Sequence, residues 1–183
     1  IHNPKDAIRH KIAFATEDRK RSGLNLIGSI KENVTMVSLA EKVSKHGIIQ
    51  EKKEGEVTEQ YIKKLHIKTP NGDELVGNLS GGNQQKVVLA KWLLGEPEII
   101  IFDEPTRGID VGAKHEIYEL INALSEQKKA IIVISSEMPE LMGICDRLYV
   151  MSEGYITGEL NKDEFNQEAI MRLASARKGG MTQ

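Results

Sequence analysis

The sequence predicts an α/β fold: a parallel-sheet core with a helical subdomain inserted into it. Three observations point there. Two short, wholly apolar runs, IIIF at 99–102 and AIIVI at 130–134, have the length and β-branched content of buried strands. Between them lies a helical pattern over 113–126, with Ile117, Leu120, Ile121 and Leu124 at 3/4 spacing, and strand, helix, strand in alternation is the connection parallel strands need. The first half of the chain, by contrast, carries mostly helical patterns.

The elements follow in order. IAFA at 12–15 reads as a short buried strand running into a charged loop, TEDRKRSG at 16–23. Residues 30–43 read as a helix, with Ile30, Val34, Val37 and Val43 roughly on one face. A polar stretch at 44–55 follows, and the Lys/Glu run at 51–56 reads as exposed, mobile surface. Val57, Tyr61 and Leu65 recur every four residues, an amphipathic helix. TPNGD at 69–73 is a dense turn signal. Residues 83–94 form a helix with one buried face, stopped by Gly95 and Pro97. The run at 99–102 reads as a strand covered on both faces. Residues 137–144 form a short helix with Pro139 in its first turn. Residues 148–151 and 155–160 frame a hairpin turn at Ser152-Glu153-Gly154. An amphipathic helix at 165–174 closes the pattern.

Composition bounds the function. The 183 residues are 39% apolar and 28% charged, a globular balance for one domain or slightly more. Twenty-five basic against 27 acidic residues leave no excess that would suit nucleic acid, and none is expected as a partner. No apolar run reaches the roughly 18–20 residues needed to cross a bilayer. The single cysteine, Cys145, excludes an internal disulfide framework and reads as a core thiol. Trp92 and the methionines read as packing. The five histidines (2, 10, 46, 66 and 115) show no metal-ligand spacing and read as solvated. The chain opens mid-pattern at Ile1 and is expected to be a piece of a longer polypeptide.

Two constellations carry chemistry. In the first, four apolar residues end in Asp103-Glu104. A carboxylate at the carboxyl end of a parallel strand is placed to hold Mg2+, here Asp103, and Glu104 to orient or deprotonate a water. An acidic turn after a strand explains the pair equally well. In the second, Leu79-Ser80-Gly81-Gly82-Asn83 opens a helix. Ser80 caps it, the glycines let backbone approach a ligand, and free N–H groups at the helix start make an anion site. An ordinary N-cap after a glycine turn is the simpler alternative.

About twenty residues apart and in this order, the two resemble the ATP-binding cassette family. LSGGN at 79–83 looks like its signature motif, IIIFDE at 99–104 like its Walker B strand and following glutamate, and EPTRGID at 104–110 like the segment leading to its D-loop aspartate, Asp110. SGGNQQK at 80–86, EPTRGIDVGAK at 104–114 and ISSEMPEL at 134–141 further resemble the C-terminal cassette of double-cassette ATPases that drive bacterial monosaccharide importers. Lys68-Thr69-Pro70 and SSEMPEL look most like the galactose/methyl-galactoside type.

The resemblance implies a partial P-loop NTPase core. Residues 1–17 would end its first lobe and the Q-loop region, and 18–95 would be the helical subdomain with the signature motif. Residues 96–160 would carry Walker B, D-loop and switch region, and 161–183 a C-terminal helix and tail. It implies ATP and Mg2+ as cofactors, with Leu79, Ser80, Gly81, Gly82, Asn83, Asp110 and Glu17 touching nucleotide. Asp103 would touch the metal, and Glu104 and Ser136 would stand at catalytic positions. The implied partners are the N-terminal cassette of the same polypeptide, integral-membrane permease subunits and, indirectly, a sugar-binding protein. The implied place is the cytoplasmic face of the inner membrane.

The sequence also departs from the family pattern. No Gly-x-x-x-x-Gly-Lys-Ser/Thr occurs, so the phosphate-cradling N–H groups and lysine are missing and the chain alone is expected to be inactive. Glu17 stands where the family has its Q-loop glutamine; a solvated turn carboxylate is the alternative. Ser136 stands where it has the switch histidine, and serine can neither take up a further proton nor carry a positive charge at neutral pH. The site containing Glu104 is therefore expected to be slow or inactive. Lys20 and Arg21, with Arg19, read either as a partner contact or as a solvated basic loop.

Overall fold

The computed structural model describes residues 1–176; the tail at 177–183 lies outside the described residues. The chain divides into two compact units, residues 1–134 and 135–183.

The first unit is built on a three-stranded parallel sheet ordered β1-β4-β5. Helix α1 (Pro4–Arg9), capped by Asn3 with Pro4 at its start, leads into β1 (Ile12–Ala15). β4 (Ile99–Asp103) lies between β1 and β5 (Ala130–Ile134), with Phe14 paired to Ile101 and Ile101 to Ile132. Helix α4 (Gly81–Leu93) packs on β1, and α5 (Val111–Glu126) packs on α4 and β5. They bury the face that carries Ala13, Ala15, Ile100 and Phe102.

The expectation that residues 99–102 are covered on both faces fails. The opposite face is open: Phe14 is 44% exposed, Ile132 52% and Ile134 50%, with Ile101 half-buried between them. The apolar run is continuous, yet only alternate residues reach the core, because neighbouring side chains of a strand point to opposite faces.

The helical part of this unit holds further corrections. Residues 30–43 are not one helix. α2 (Ile30–Thr35) starts at a capping box between Ser29 and Glu32. It ends within two turns, and a wide π-type turn, Leu39–Val43, follows. Two short strands, β2 (Ser44–Lys45) and β3 (Ile48–Ile49), then pair antiparallel around His46 and Gly47, both at positive φ. The run at 51–56 is the start of helix α3 (Glu51–Lys64), not bare surface. Its inner stripe is Glu54, Thr58 and Ile62, while Val57 and Tyr61 are half-buried. Glu54 is 6% exposed, and the Thr35 hydroxyl lies 2.7 Å from its Oε1. α4 is buried at every residue from 84 to 91 rather than along one face, because it lies among α2, α5 and β1.

The second unit is an antiparallel hairpin, β6 (Arg147–Ser152) and β7 (Tyr155–Asn161), with helices α6 (Met138–Ile144) and α7 (Gln167–Ala174). Its two-residue turn has Glu153 and Gly154 both at positive φ, the geometry that matches strand twist. Leu148, Val150, Leu160 and Ile170 form its core, with Cys145 packed against them. Burial pushes the Cys145 thiol pKa up, as for a packing thiol. The five histidines are exposed.

Candidate functional site

The signature segment meets the loop that follows Asp103-Glu104, where Gly81 lies against Gly108 and Gly82 against Ala113 at the first turns of α4 and α5. Leu79 follows a short 3-10 turn, Val76–Asn78, and Ser80 is the exposed N-cap of α4. The Ser80 hydroxyl accepts hydrogen bonds from the Asn83 side chain at 2.9 Å and the Asn83 N–H at 3.5 Å. Asn83 Oδ1 in turn accepts from the Lys68 N–H at 2.8 Å. Gln84 holds the approach from below, its amide donating to the carbonyls of Val76 and Leu79, each at 3.2 Å. At the start of a helix the N–H groups of Gly81 and Gly82 have no intrahelical acceptor, which leaves donors for an anion.

The glycines have a role that the sequence reading did not assign. A Cβ at position 81 would lie 2.7 Å from an Arg19 guanidinium nitrogen and 3.1 Å from the Gly108 carbonyl oxygen. A Cβ at position 82 would lie 2.6 Å from the Ala113 Cβ. Here the bare backbone lets the chain approach itself, whatever it also does for a ligand.

Asp103 ends β4, half-buried, and Glu104 follows with φ +47, a strained left-handed position for a side-chain-bearing residue. The Glu104 N–H donates to the Ile134 carbonyl at 2.8 Å, which pins the turn to β5. Thr106 is buried, and Gly108 turns the loop with φ +69. Asp110 then caps α5, its Oδ1 accepting the Ala113 N–H at 3.0 Å. That backbone bond holds the Asp110 carboxyl below the usual carboxylate range.

Glu17 follows β1 and is ion-paired with Arg107, so its carboxylate already has a cation within the chain. Glu17, Asp18, Arg19, Lys20 and Arg107 line an open depression of about 280 Å³. Arg19 of the basic loop is half-buried and already hydrogen-bonded within the chain. It starts a π-type turn, Arg19–Gly23, and donates to the carbonyls of Arg107 at 3.0 Å and Gly108 at 3.3 Å. Lys20 and Arg21 are exposed.

Two further cations were not foreseen. Lys86, buried on α4, is ion-paired with Glu116 of α5 and donates to the His66 carbonyl at 2.9 Å. Lys91, also buried, donates to the Gly23 carbonyl. Each contact joins residues far apart in sequence, so no local pattern announces it.

Ser136 lies in the second unit, exposed, beside Ser135, whose hydroxyl is bonded to Glu140 and accepts the Glu137 N–H at 3.0 Å. Among the described residues no three His, Cys, Asp or Glu side chains gather as a metal site. Asp103 alone would serve an Mg2+ whose remaining ligands are phosphate oxygens and waters, which is how that ion is usually held. Nor is any helix among them long and apolar enough to cross a membrane.

Residues 4–107, more than half of the chain, match the family model described as ABC transporter. The chain is 57% identical over 169 residues to the ribose import ATP-binding protein RbsA of Clostridium perfringens, covering 92% of this chain and 34% of that protein. It is 53% identical over 173 residues to the L-arabinose transport ATP-binding protein AraG of Geobacillus stearothermophilus, covering 94% and 34%. The chain thus spans about a third of the length of the curated relatives it matches. Among solved structures, the ADP conformation of MJ1267, an ATP-binding cassette of an ABC transporter, superposes with a TM-score of 0.71 at 20% identity. The match covers 93% of this chain and 70% of that one. The ATP-binding cassette MJ0796, in a dimeric post-hydrolysis state bound to ADP and Pi, gives 0.71 at 22% identity, covering 89% and 69%. Those two likenesses establish the fold, a P-loop NTPase-type α/β core with helices, and the family match goes further: this chain belongs to the ABC transporter family.

Proposed function

We propose that this chain is the C-terminal cassette of an ATP-hydrolysing subunit that energises import of a simple sugar through an ABC transporter. The observation that carries the reading is the joining of Ser80-Gly81-Gly82 to the 107–110 loop. Gly81 lies against the Gly108 carbonyl and Gly82 against Ala113, so the exposed caps Ser80 and Asp110 stand close on one surface. The relatives named for ribose and arabinose import support the sugar class.

On this reading Ser80 to Asn83 close on the ATP held by the N-terminal cassette of the same polypeptide, with Leu79 and Asp110 beside it. The donors there are the free N–H groups of the α4 start and the Ser80 hydroxyl, and the helix dipole favours phosphate. Asp103, Glu104 and Glu17 belong to the degenerate site, and Ser136 holds the family's switch position in sequence. Mg2+, bound with nucleotide, neutralises phosphate charge, and Asp103 would be its protein ligand. Glu17 puts a carboxylate, paired with Arg107, where the resemblance has an amide, and Ser136 supplies at most a neutral hydrogen bond.

The permease subunits bring the chain to the cytoplasmic face of the membrane, and a sugar-binding protein acts through them. Segment 18–95 serves as the helical subdomain that carries the signature motif. The galactose/methyl-galactoside type rests on Lys68-Thr69-Pro70 and SSEMPEL, and a relative named for putative ribose/galactose/methyl galactoside import, from Halalkalibacterium halodurans, is 52% identical over 177 residues. The Glu17 and Ser136 departures favour a second reading, a half-site that completes its partner without turnover of its own.

The test is ATP hydrolysis by the full-length chain assembled with its permease and a sugar-loaded binding protein. Ser80→Arg should stop hydrolysis, because it puts a long side chain where backbone must meet phosphate. Glu104→Gln should have a smaller effect. Equal abolition by both changes would refute the asymmetry. Hydrolysis that needs neither permease nor binding protein would instead indicate a soluble, non-transport ATPase of the same family.

A further inference from the structure

We propose that Arg19 is a positioning residue: its guanidinium clamps the 107–110 loop against the first turn of α4 and so fixes Asp110 relative to Ser80. Its two nitrogens donate to two successive carbonyls, Arg107 at 3.0 Å and Gly108 at 3.3 Å, across 88 and 89 residues of sequence. A planar fork with several fixed donors suits two adjacent acceptors; an ammonium has no such geometry.

The same guanidinium is what a Cβ at position 81 would strike. Arg19 is therefore packed between the signature segment and the loop, in contact with both. Its Nε is buried with no hydrogen-bond partner among the described residues, and burial lowers the guanidinium pKa. Half-buried there, the guanidinium supplies directed hydrogen bonds that an apolar side chain of the same bulk would not.

The neighbouring charges complete the device. Glu17, two residues earlier, pairs with Arg107, so the segment after β1 grips the loop by a side-chain pair and by its carbonyls at once. At the other end of the Arg19–Gly23 turn, Lys91 of α4 holds the Gly23 carbonyl. The segment after β1 is thus hydrogen-bonded to α4 at its far end, and at its near end it is hydrogen-bonded to the loop and packed against Gly81. A shift of residues 17–23 must move the 107–110 loop and α4 together.

The consequence for turnover rests on the proposed function above; the clamp itself does not. The experiment uses the full-length chain with its permease and compares Arg19→Ala and Arg19→Lys with the parent. Hydrogen exchange is read at the amides of Arg107, which donates to the Glu104 carbonyl, and Ala113, which donates to Asp110. Arg19→Ala should speed exchange over 107–113 by about tenfold or more while amides of β4 and β5 stay protected. The kcat for ATP should fall about tenfold with KM within about twofold, since the partner cassette captures the nucleotide first. Arg19→Lys, which keeps one of the two bonds, should recover part of both losses.

Unchanged exchange over 107–113 would overturn the clamp. So would an equal rise across β4 and β5, which would make Arg19 a general packing residue. A parent chain that hydrolyses no ATP defeats the functional reading alone, and the exchange comparison then still upholds or overturns the clamp.

Discussion

Gly82 and Ala113 meet across the contact of α4 and α5 with no room for a second methyl: a Cβ on Gly82 would lie 2.6 Å from that of Ala113. Neither atom can swing aside, because a Cβ is fixed by its backbone. Gly82→Ala should therefore destabilise the fold by about 1–3 kcal/mol, the range for overpacking a tight contact. Adding Ala113→Gly should restore part of it, less the roughly 0.5–1 kcal/mol that glycine loses against alanine in a helix. Denaturant midpoints of the two single changes and the pair would check this; simple additivity would show that the two sites do not touch. The residue scale is also where the sequence was least legible. LSGG and the Asp103-Glu104 pair stand out because their local chemistry is unusual. Arg19, Lys86 and Lys91 do not, because each acts on a carbonyl or carboxylate at least 20 residues away.

Among the elements, α5 carries the clearest dependence on pH. The Ala113 N–H holds the Asp110 carboxyl below the usual range, and a hydrogen bond from Lys86 does the same for Glu116. Both carboxylates bind their proton more weakly in the folded chain than in the unfolded one. Their stabilisation is complete above the ordinary carboxylate range and is lost as pH falls through the lowered folded values. Asp110→Asn and Glu116→Gln should each flatten the acid limb of the stability curve below about pH 4, leaving its shape near neutrality alone. A curve measured by thermal unfolding from acid to neutral pH would show it, and an acid limb identical to the parent's would contradict it. Elements were legible where one physical signal dominated. β4, β5 and α5 followed from apolar runs and 3/4 spacing. The 30–43 pattern outruns the helix because Val37 and Val43 continue its apolar spacing, although the chain leaves the helix after Thr35. The start of α3 was hidden by its charge, since composition gives no hint that Glu54 turns inward beside Thr35. β2 and β3, two residues each, are too short to show any period.

For the molecule as a whole, the α/β class, the parallel sheet and the hairpin at 153–154 could be read in advance, because short strands between helices allow few topologies. Coverage of the sheet could not. A wholly apolar strand implies two buried faces, but sequence says nothing about which residues supply the second cover. In this chain the row Phe14, Ile101, Ile132 lies in register across all three strands with its outer members near half exposed. Whatever settles on that row binds the native state and not the unfolded one, so mass action enters the folding equilibrium. A second copy of the chain is one such cover; where it binds, the thermal midpoint of the chain rises with its own concentration and Ile132→Lys abolishes that rise. Scans over a hundredfold range of protein concentration would reveal the slope. Stability here becomes a property of the solution as well as of the sequence.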